Sequence, residues 1–255
     1  MIEKLALIGV GLIGGSLARA LRDAGQVREI VGHGRGLANL QRAVDLGVID
    51  RVETTLPAAV RDADMVVLAT PVGSMEKILQ AIAPYLAPMA VVTDVGSVKG
   101  TVADTARRML GDKFTRFVPG HPIAGTERSG VEASFSSLYA GRRVVLTPLP
   151  ETNADAVTRV RNMWQATGAE VVSMSVEHHD TVLAATSHLP HLLAYALVDM
   201  LARLDDKNEI FAYAAGGFRD FTRIASSDPV MWRDISLANR EAIVRLLKQY
   251  RGEVD

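Results

Sequence analysis

The sequence contains no cysteine, which excludes disulfide bonds, thiolate nucleophiles and cysteine-based zinc sites. Neither sign of charge is in excess, because 28 basic side chains stand against 29 acidic ones, and nothing favours a nucleic-acid partner or an anionic membrane surface. Uninterrupted apolar runs stay short of the roughly 18 residues that a membrane span needs. The apolar N-terminus lacks the basic region and cleavage site of a signal peptide. We therefore expect a soluble, cytoplasmic protein without a membrane partner.

What the sequence does contain is a change of pattern along its 255 residues. Over the first 150 residues, short runs rich in Val, Ile or Leu alternate with helix-like segments, which predicts a mostly parallel, doubly wound sheet with helices on both faces. The predicted strands are 4–10, 29–33, 65–70, 90–96, 116–121 and 142–148. Later residues are largely helical, and 181–204 is apolar nearly all round, as in a helix buried in a bundle or against another subunit.

These patterns predict two domains. We expect the first domain over residues 1–155, with a last helix and strand that can extend it to about 175. A helical second domain is expected over 176–255.

A glycine-rich loop directly follows the first predicted strand, in the spacing Gly9, Gly11, Gly14. The first glycine allows a tight turn, the second lets the backbone approach a pyrophosphate, and the third lets the helix pack on the strand. Leu12 and Ile13 lie inside the loop, at the start of the helix whose N-terminus would face the phosphates. The strand-loop-helix context favours a dinucleotide site, which we assign to the first domain.

The second predicted strand ends without the acidic residue that normally holds the adenosine ribose. His33 and Arg35 lie there instead, between glycines. A guanidinium at Arg35 suits a 2′-phosphate, so we expect NADP to be preferred, with NAD as the alternative. A solvated loop arginine without a ligand is the other interpretation of Arg35.

Polar residues follow three of the predicted strands, where ligands of doubly wound sheets bind. They are Thr70 and Pro71, then Asp94 to Ser97, and finally His121, which stands between a glycine and a proline in FVPGHPIAG. We expect a loop at His121, because that backbone suits neither a helix nor a regular strand. His121 would then accept the proton of an alcohol as hydride leaves the same carbon. A structural histidine that binds loop backbone is the alternative.

Five motifs, in order, resemble the prephenate/arogenate dehydrogenase (cyclohexadienyl dehydrogenase) family of tyrosine biosynthesis. They are GVGLIGGS at 9–16, TDVGSVK at 93–99, GHPIAGTERSG at 120–130, SHLPHLLAYAL at 187–197 and GGFRDFTRIASSDPVMW at 216–232. The resemblance implies a Rossmann-type α/β domain followed by an all-helical dimerisation domain. It also implies oxidative decarboxylation of prephenate or arogenate by a homodimer.

The resemblance further assigns roles to single residues. It implies that His121 takes the substrate's hydroxyl proton or polarises that hydroxyl. Ser97 would steady either His121 or the hydroxyl. Arg223 matches the family's substrate arginine, and a guanidinium can hold a carboxylate with two parallel hydrogen bonds. His191 matches a second substrate-contacting position, and Ser187 is its near neighbour.

Several residues keep two interpretations. Glu127 and Asp180 match positions near the site entrance, as gating or ion-pairing groups, or are plain surface carboxylates. Trp232 forms an apolar wall for the substrate ring or packs in the core. Arg219 contacts substrate or makes a structural ion pair.

No metal is expected. The adjacent histidines at 178 and 179 do not point the same way on a helix, and no third ligand is suitably spaced. Two rival functions are weighed. A β-hydroxyacid dehydrogenase or imine reductase would need a catalytic lysine, for which Lys99 is a candidate, or a differently placed acid, and the HPIAGT and SHLPH motifs argue against that assignment. A non-catalytic nicotinamide-dinucleotide sensor has no need for His121, His191 and Arg223 together.

Overall fold

The computed structural model describes residues 1–126 and 128–255. The chain divides into two compact units, Met1–His179 and Asp180–Asp255. The first unit therefore includes the helix Ala154–Gln165 and the strand Glu170–Ser173.

The first unit is built on a six-stranded, wholly parallel sheet, which confirms the predicted fold class. Its strands are β1 (Ile2–Ile8), β2 (Val27–His33), β3 (Arg51–Val52), β4 (Met65–Leu68), β5 (Val91–Asp94) and β6 (Phe117–Val118). The spatial order is β3-β2-β1-β4-β5-β6. The direction of winding reverses between β1 and β4, and ligands of such sheets bind beyond the strand ends at that point.

Helices cover both faces of this sheet, as the β-α alternation predicts. They are α1 (Leu12–Asp23), α2 (Leu37–Asp45), α3 (Leu56–Val60), α4 (Met75–Ile82), α5 (Gly100–Leu110) and α6 (Ala154–Gln165). Alternate strand residues enter two separate cores: Leu5 and Leu7 of β1 pack in one, and Ala6 and Ile8 in the other. Because both faces are buried, the central strands are apolar without alternation.

A second, three-stranded sheet contains β7 (Gly120–Pro122), β8 (Arg143–Leu146) and β9 (Glu170–Ser173), in that order. It divides the run that was predicted as one strand over 116–121, because β6 ends at Val118 and β7 starts at Gly120 in the other sheet. The expectation of a loop at His121 is wrong: His121 lies in β7, opposite Val145. Pro122 is tolerated because β7 is an edge strand, where the missing N–H of a proline need not cost a hydrogen bond to a neighbouring strand.

The second unit is helical. Helix α7 (Val176–Leu183) enters it and continues through a π-helical turn (Ala184–His188) into α8 (Leu189–Ala202). It is followed by α9 (Lys207–Ala212), α10 (Gly216–Thr222), α11 (Pro229–Ala238) and α12 (Arg240–Val254). A proline has no N–H and its ring collides with the carbonyl four residues earlier, so the wider π turn accommodates Pro190.

One helical segment, Val176–Ala202, is long and apolar enough to cross a membrane on length and composition alone. This corrects the expectation that no segment reaches that length, which counted only uninterrupted apolar runs. Only 22% of its most apolar window is buried within the chain. Most residues of α8 are half-buried, so its apolar side chains are only partly covered within the chain.

Candidate active site

The glycine loop makes the tight turn that its spacing predicts. Gly9 has a φ of +100°, and a Cβ there would lie 2.3 Å from the carbonyl oxygen of Ala69, at the end of β4. A Cβ on Gly14 would lie 2.3 Å from the carbonyl oxygen of Gly9, so strand and helix touch through backbone. A Cβ on Gly11 would meet nothing within 4 Å. The open side of the loop is therefore at Gly11, where a phosphate can approach.

The start of α1 offers uncapped backbone donors beside this opening. Gly11 is the N-cap, and no side chain among the described residues caps the helix. The side chain of Leu12 is buried, and the carbonyl of Ile13 accepts a 2.6 Å hydrogen bond from the Tyr139 hydroxyl, so a ligand would meet backbone N–H groups here. The buried Thr70 hydroxyl, after β4, has no hydrogen-bond partner within the described chain. These residues fit a dinucleotide.

Between β2 and α2 the chain carries one charged side chain, that of Arg35. The His33 ring is fixed by a 2.8 Å hydrogen bond between Nδ1 and the Glu53 carbonyl. Arg35 is exposed in the turn before α2. Asn39, one turn into α2, donates a 2.7 Å hydrogen bond to the Val10 carbonyl of the glycine loop. The turn that carries Arg35 is thus tied to the loop.

A buried ion pair, Asp94 with Lys99, fixes the neighbouring strand end. Both side chains are fully buried, and the Lys99 ammonium also donates a 2.7 Å hydrogen bond to the Gly120 carbonyl. The Asp94 carboxylate accepts hydrogen bonds from the N–H groups of Gly96 (2.7 Å) and Gly120 (3.2 Å). This burial favours a role for Asp94 in holding the loop and β7 over the predicted cofactor contact. It likewise gives Lys99 a structural role, which weakens the rival that needs a catalytic lysine.

His121 follows Gly120 and is therefore held by this buried ion pair on its N-terminal side. Its side chain is only 8% exposed. Its Nδ1 lies 2.9 Å from Nε2 of His179, a residue of α7 that is fully buried. We call His121 and His179 the histidine pair. The predicted alternative, a histidine that only binds loop backbone, is not favoured, because Nδ1 faces another imidazole.

The remaining predicted residues of the first unit lie around these groups. Ser97 is half-buried in the loop between β5 and α5, and Pro71 is exposed and follows Thr70 at the end of β4. Glu127 is outside the described residues, so its predicted role at the entrance has no structural account. The first unit thus brings together the glycine loop, Thr70, the buried ion pair and the histidine pair.

In the second unit, the π turn orders the predicted substrate residues. The Nδ1 of His191 lies 2.9 Å from the carbonyl of Ser187, which is half-buried within the turn. A carbonyl only accepts, so Nδ1 carries the proton and Nε2 is an acceptor when the ring is neutral. Burial chiefly lowers the pKa of His191, with a further lowering by the positive charge of Arg223. His191 is therefore neutral near pH 7.

Trp232 stacks on this histidine. The ring centroids of His191 and Trp232 are 3.5 Å apart with planes at 16°, and His188 meets the same indole edge-on at 6.2 Å. The amide of Asn239 lies 3.1 Å from Nδ1 of His188 and donates 2.8 Å to the Asp180 carbonyl. We call His188, His191 and Trp232 the aromatic cluster. Trp232 is only 9% exposed, as core packing would require. Its indole N–H has no partner among the described residues, so the side chain also suits the wall of a substrate site.

The predicted cations of the second unit are exposed. Arg223 lies just after α10, and Arg219 lies one turn earlier on that helix. Within the described residues no salt bridge of Arg219 is found, so its predicted structural ion pair lacks support. Arg223 adds positive charge near His191 of the aromatic cluster.

Metal ligands do not assemble in the part of the chain that the structure describes: no group of three or more His, Asp or Glu side chains is placed to hold an ion. The adjacent histidines diverge, with His178 exposed and His179 buried. The sequence interpretation weighed this pair only as metal ligands and so missed the contact of His179 with His121. A signal was available, since Val176, His179 and Leu183 recur at helical spacing; in the structure His179 and Leu183 are buried and Val176 is half-buried.

Comparison with known proteins gives the family. The nucleotide-binding domain of prephenate dehydrogenase matches residues 17–173, and the prephenate dehydrogenase dimerization domain matches residues 175–255. Cyclohexadienyl dehydrogenase of Zymomonas mobilis subsp. mobilis is 39% identical, over all of this chain and 87% of the relative.

Two solved structures extend this likeness to the fold. Prephenate dehydrogenase from Aquifex aeolicus, in complex with hydroxyphenyl propionate and NAD+, has a TM-score of 0.93 at 41% identity over 100% of this chain and 88% of that one. Synechocystis arogenate dehydrogenase has a TM-score of 0.82 at 30% identity over 99% of this chain and 89% of that one. Because both domains match and the relatives align over nearly their whole length, the chain belongs to the prephenate dehydrogenase family.

Proposed function

We propose that this protein catalyses the oxidative decarboxylation of prephenate, arogenate or both, with a nicotinamide dinucleotide, to give 4-hydroxyphenylpyruvate or tyrosine in tyrosine biosynthesis. The observation that carries the proposal is the position of His121. It is a nearly buried imidazole on β7, tied through Gly120 to Asp94 at the carboxyl end of β5. A base at that edge of the sheet is where a hydroxyl proton of a bound substrate would be taken.

In this reaction the substrate's alcohol carbon loses a hydride and its hydroxyl loses a proton. When bound, the nicotinamide ring supplies the hydride acceptor. His121 takes the hydroxyl proton, so that the oxygen's electron pair can form a carbonyl. The ring carboxylate then leaves as CO2, and the electron pair of the broken C–C bond makes the ring aromatic. The phenolate oxygen takes its proton back from His121, which balances the reaction without a net release of protons.

The second unit supplies the chemistry that a dicarboxylic substrate requires. Arg223 is a cation that can bind a carboxylate with two hydrogen bonds, and we assign it to that role. The aromatic cluster offers a flat apolar surface, and the orphan indole N–H of Trp232 is a donor for a substrate oxygen. His191, neutral with its proton on Nδ1, can accept a hydrogen bond through Nε2. We further propose that Ser97 supports His121 or the hydroxyl, as the family resemblance implies.

For the cofactor we propose NADP in preference to NAD. The support is that no carboxylate follows β2 in the sequence Gly34-Arg35-Gly36, in which Arg35 is exposed. A guanidinium suits the 2′-phosphate of NADP. The Aquifex relative was solved with NAD+, so the choice is a property to be measured on this chain.

We also propose a homodimer built by the second unit, acting in the cytoplasm. Large apolar side chains of this unit are exposed, including Met200, Tyr213, Leu237 and Val254. The profile that matches 175–255 describes a dimerization domain. Sedimentation equilibrium at micromolar concentration should give about twice the 27.4 kDa of one chain, and a monomer would contradict the proposal.

The decisive assay is a two-by-two comparison of prephenate and arogenate with NAD and NADP, followed by absorbance of the reduced nicotinamide. Turnover of either substrate supports the proposed function. A kcat/KM that favours NAD tenfold or more would overturn the cofactor preference alone. Turnover of 3-hydroxyisobutyrate, with none of prephenate or arogenate, would favour a β-hydroxyacid dehydrogenase. Cofactor binding without turnover of any of the three would favour a sensing module.

A further inference from the structure

The histidine pair has a geometry that restricts where protons can lie. His121 Nδ1 and His179 Nε2 are 2.9 Å apart, and the two rings meet at 63°. Each imidazole nitrogen carries either a proton or a lone pair. Two lone pairs, or two N–H groups, would repel each other at this distance in a buried site. One proton therefore lies between the two nitrogens, on one ring or the other.

We infer that His179 is a positioning residue, which keeps this proton on Nδ1 of His121 and leaves Nε2 of His121 as the base. This inference rests on the proposed function, because it is the uptake of a hydroxyl proton that requires a lone pair on Nε2. Nε2 of His179 is then an acceptor, and the proton of His179 lies on its Nδ1. The arrangement is that of a general base whose tautomer is fixed by an orienting partner.

The same contact stabilises the charged form of His121. After proton uptake the imidazolium is nearly buried, which disfavours a charge, but its Nδ1–H donates to a neutral acceptor. Asp94 and Lys99 bind the backbone of Gly120, next to His121, and they pair with each other, so the charge of one offsets the charge of the other. The phenolate formed at the end of the reaction takes this proton back from His121. A buried histidine pair that holds the proton until then suits the reaction.

The test compares three single variants, with His178 as the matched control. His179→Leu removes the acceptor and should lower kcat about 10- to 100-fold, the range found when an orienting partner of a functional histidine is lost. KM and cofactor Kd should stay within about twofold, since His179 is fully buried and contacts His121. His179→Gln places an amide oxygen near the lost nitrogen and should restore most of kcat. His178→Gln, on the exposed neighbour, should match the wild type.

The pH profile separates positioning from simple packing. Without the acceptor the imidazolium is less stable, so the acid limb of kcat/KM should move to lower pH in His179→Leu and return in His179→Gln. A merely structural role would lower kcat and leave the limb in place. An unmoved limb in a folded His179→Leu, or a His179→Gln no better than the leucine variant, would overturn the inference.

A measurement that needs no turnover completes the design. Two-bond 1H–15N correlation spectra of histidine-labelled wild-type protein report which ring nitrogen carries the proton. We expect protonated Nδ1 and bare Nε2 for His121, assigned by loss of its signals in His121→Asn; a protonated Nε2 would overturn the inference. These spectra decide the matter even if His179→Leu does not fold. If the wild type turns over neither prephenate nor arogenate, the proposed function fails while the spectra still report on the pair.

Discussion

In the first unit the charged and titratable groups bound to β7 are buried, whereas in the second unit the corresponding groups lie partly in solvent. Asp94, Lys99 and His179 are wholly buried. Each is hydrogen-bonded to β7: Asp94 and Lys99 to the backbone of Gly120, and His179 to the ring of His121. In the second unit Arg223 is exposed, His191 is half-buried, and large apolar residues such as Leu237 face outward.

Under the proposed function, this difference separates proton transfer in the first unit from substrate recognition in the second. Proton transfer needs an imidazole in one orientation and tautomer, and burial among fixed partners provides both. Recognition of a dicarboxylic substrate needs cations and an aromatic surface that the substrate can reach, so these groups stay open. The exposed apolar surface of the second unit is what a second copy of the chain would cover under the proposed dimer.

The largest effect is expected from removing the base of the first unit. His121→Asn should lower kcat by about 10²- to 10⁴-fold, the contribution of a positioned general base, and leave cofactor affinity nearly intact. Steady-state kinetics and fluorescence titration with the reduced cofactor measure the two effects. Full turnover by this variant would show that His121 and its buried partners have a structural role only.

Breaking the buried ion pair should have the next largest effect, a loss of folding stability. Lys99→Met leaves the Asp94 carboxylate buried without its partner, which costs about 3–5 kcal/mol in the free energy of unfolding. Urea unfolding measures it. Arg143→Met, which breaks an exposed pair with Glu170 (3.3 Å), is the control and should cost about 1 kcal/mol or less. Equal losses in the two variants would mean that the burial of Lys99 has no energetic consequence.

The proposed substrate contact of the exposed second-unit residue Arg223 is tested next. Arg223→Gln should raise KM for prephenate or arogenate about 10- to 100-fold, since a hydrogen bond to a charged group contributes about 1.5–3 kcal/mol, and kcat should change less. Arg203→Gln removes an arginine of the same unit that pairs with Asp199 on the surface, and it should leave KM unchanged. An unchanged KM in Arg223→Gln would remove this residue from the binding site.

The smallest effect concerns pH and the aromatic cluster. Because burial lowers the pKa of His191 below its usual 6.5, the unfolded chain takes up a proton there more readily than the folded one. This contribution to stability is complete above about pH 6.5 and is lost as the pH falls toward the lowered pKa. His191→Asn should therefore flatten the decline in the free energy of unfolding between pH 7.5 and 5.5, as measured by urea titration. An unchanged decline would contradict this.

Much of the first unit could be predicted because its signals are local. The apolar runs of β1, β4 and β5, the helices between them and the turn at Gly9 each follow from a few neighbouring residues. The strand β3 was missed, since Arg51–Val52 is too short to show a pattern. The interpretation of His121 as a loop residue failed because the edge position that tolerates Pro122 depends on β8, which is more than 20 residues further along the chain.

The sequence by itself determined most strands and helices of the first unit, the glycine loop and the residue types that suit the proposed chemistry, because periodicity, turn formation and donor chemistry are properties of short stretches. Only the tertiary structure decided which of those residues meet. His121 and His179 are 58 positions apart, and Lys99 reaches the Gly120 carbonyl across 21. Such contacts depend on the whole backbone path between the partners, and no local pattern encodes that path.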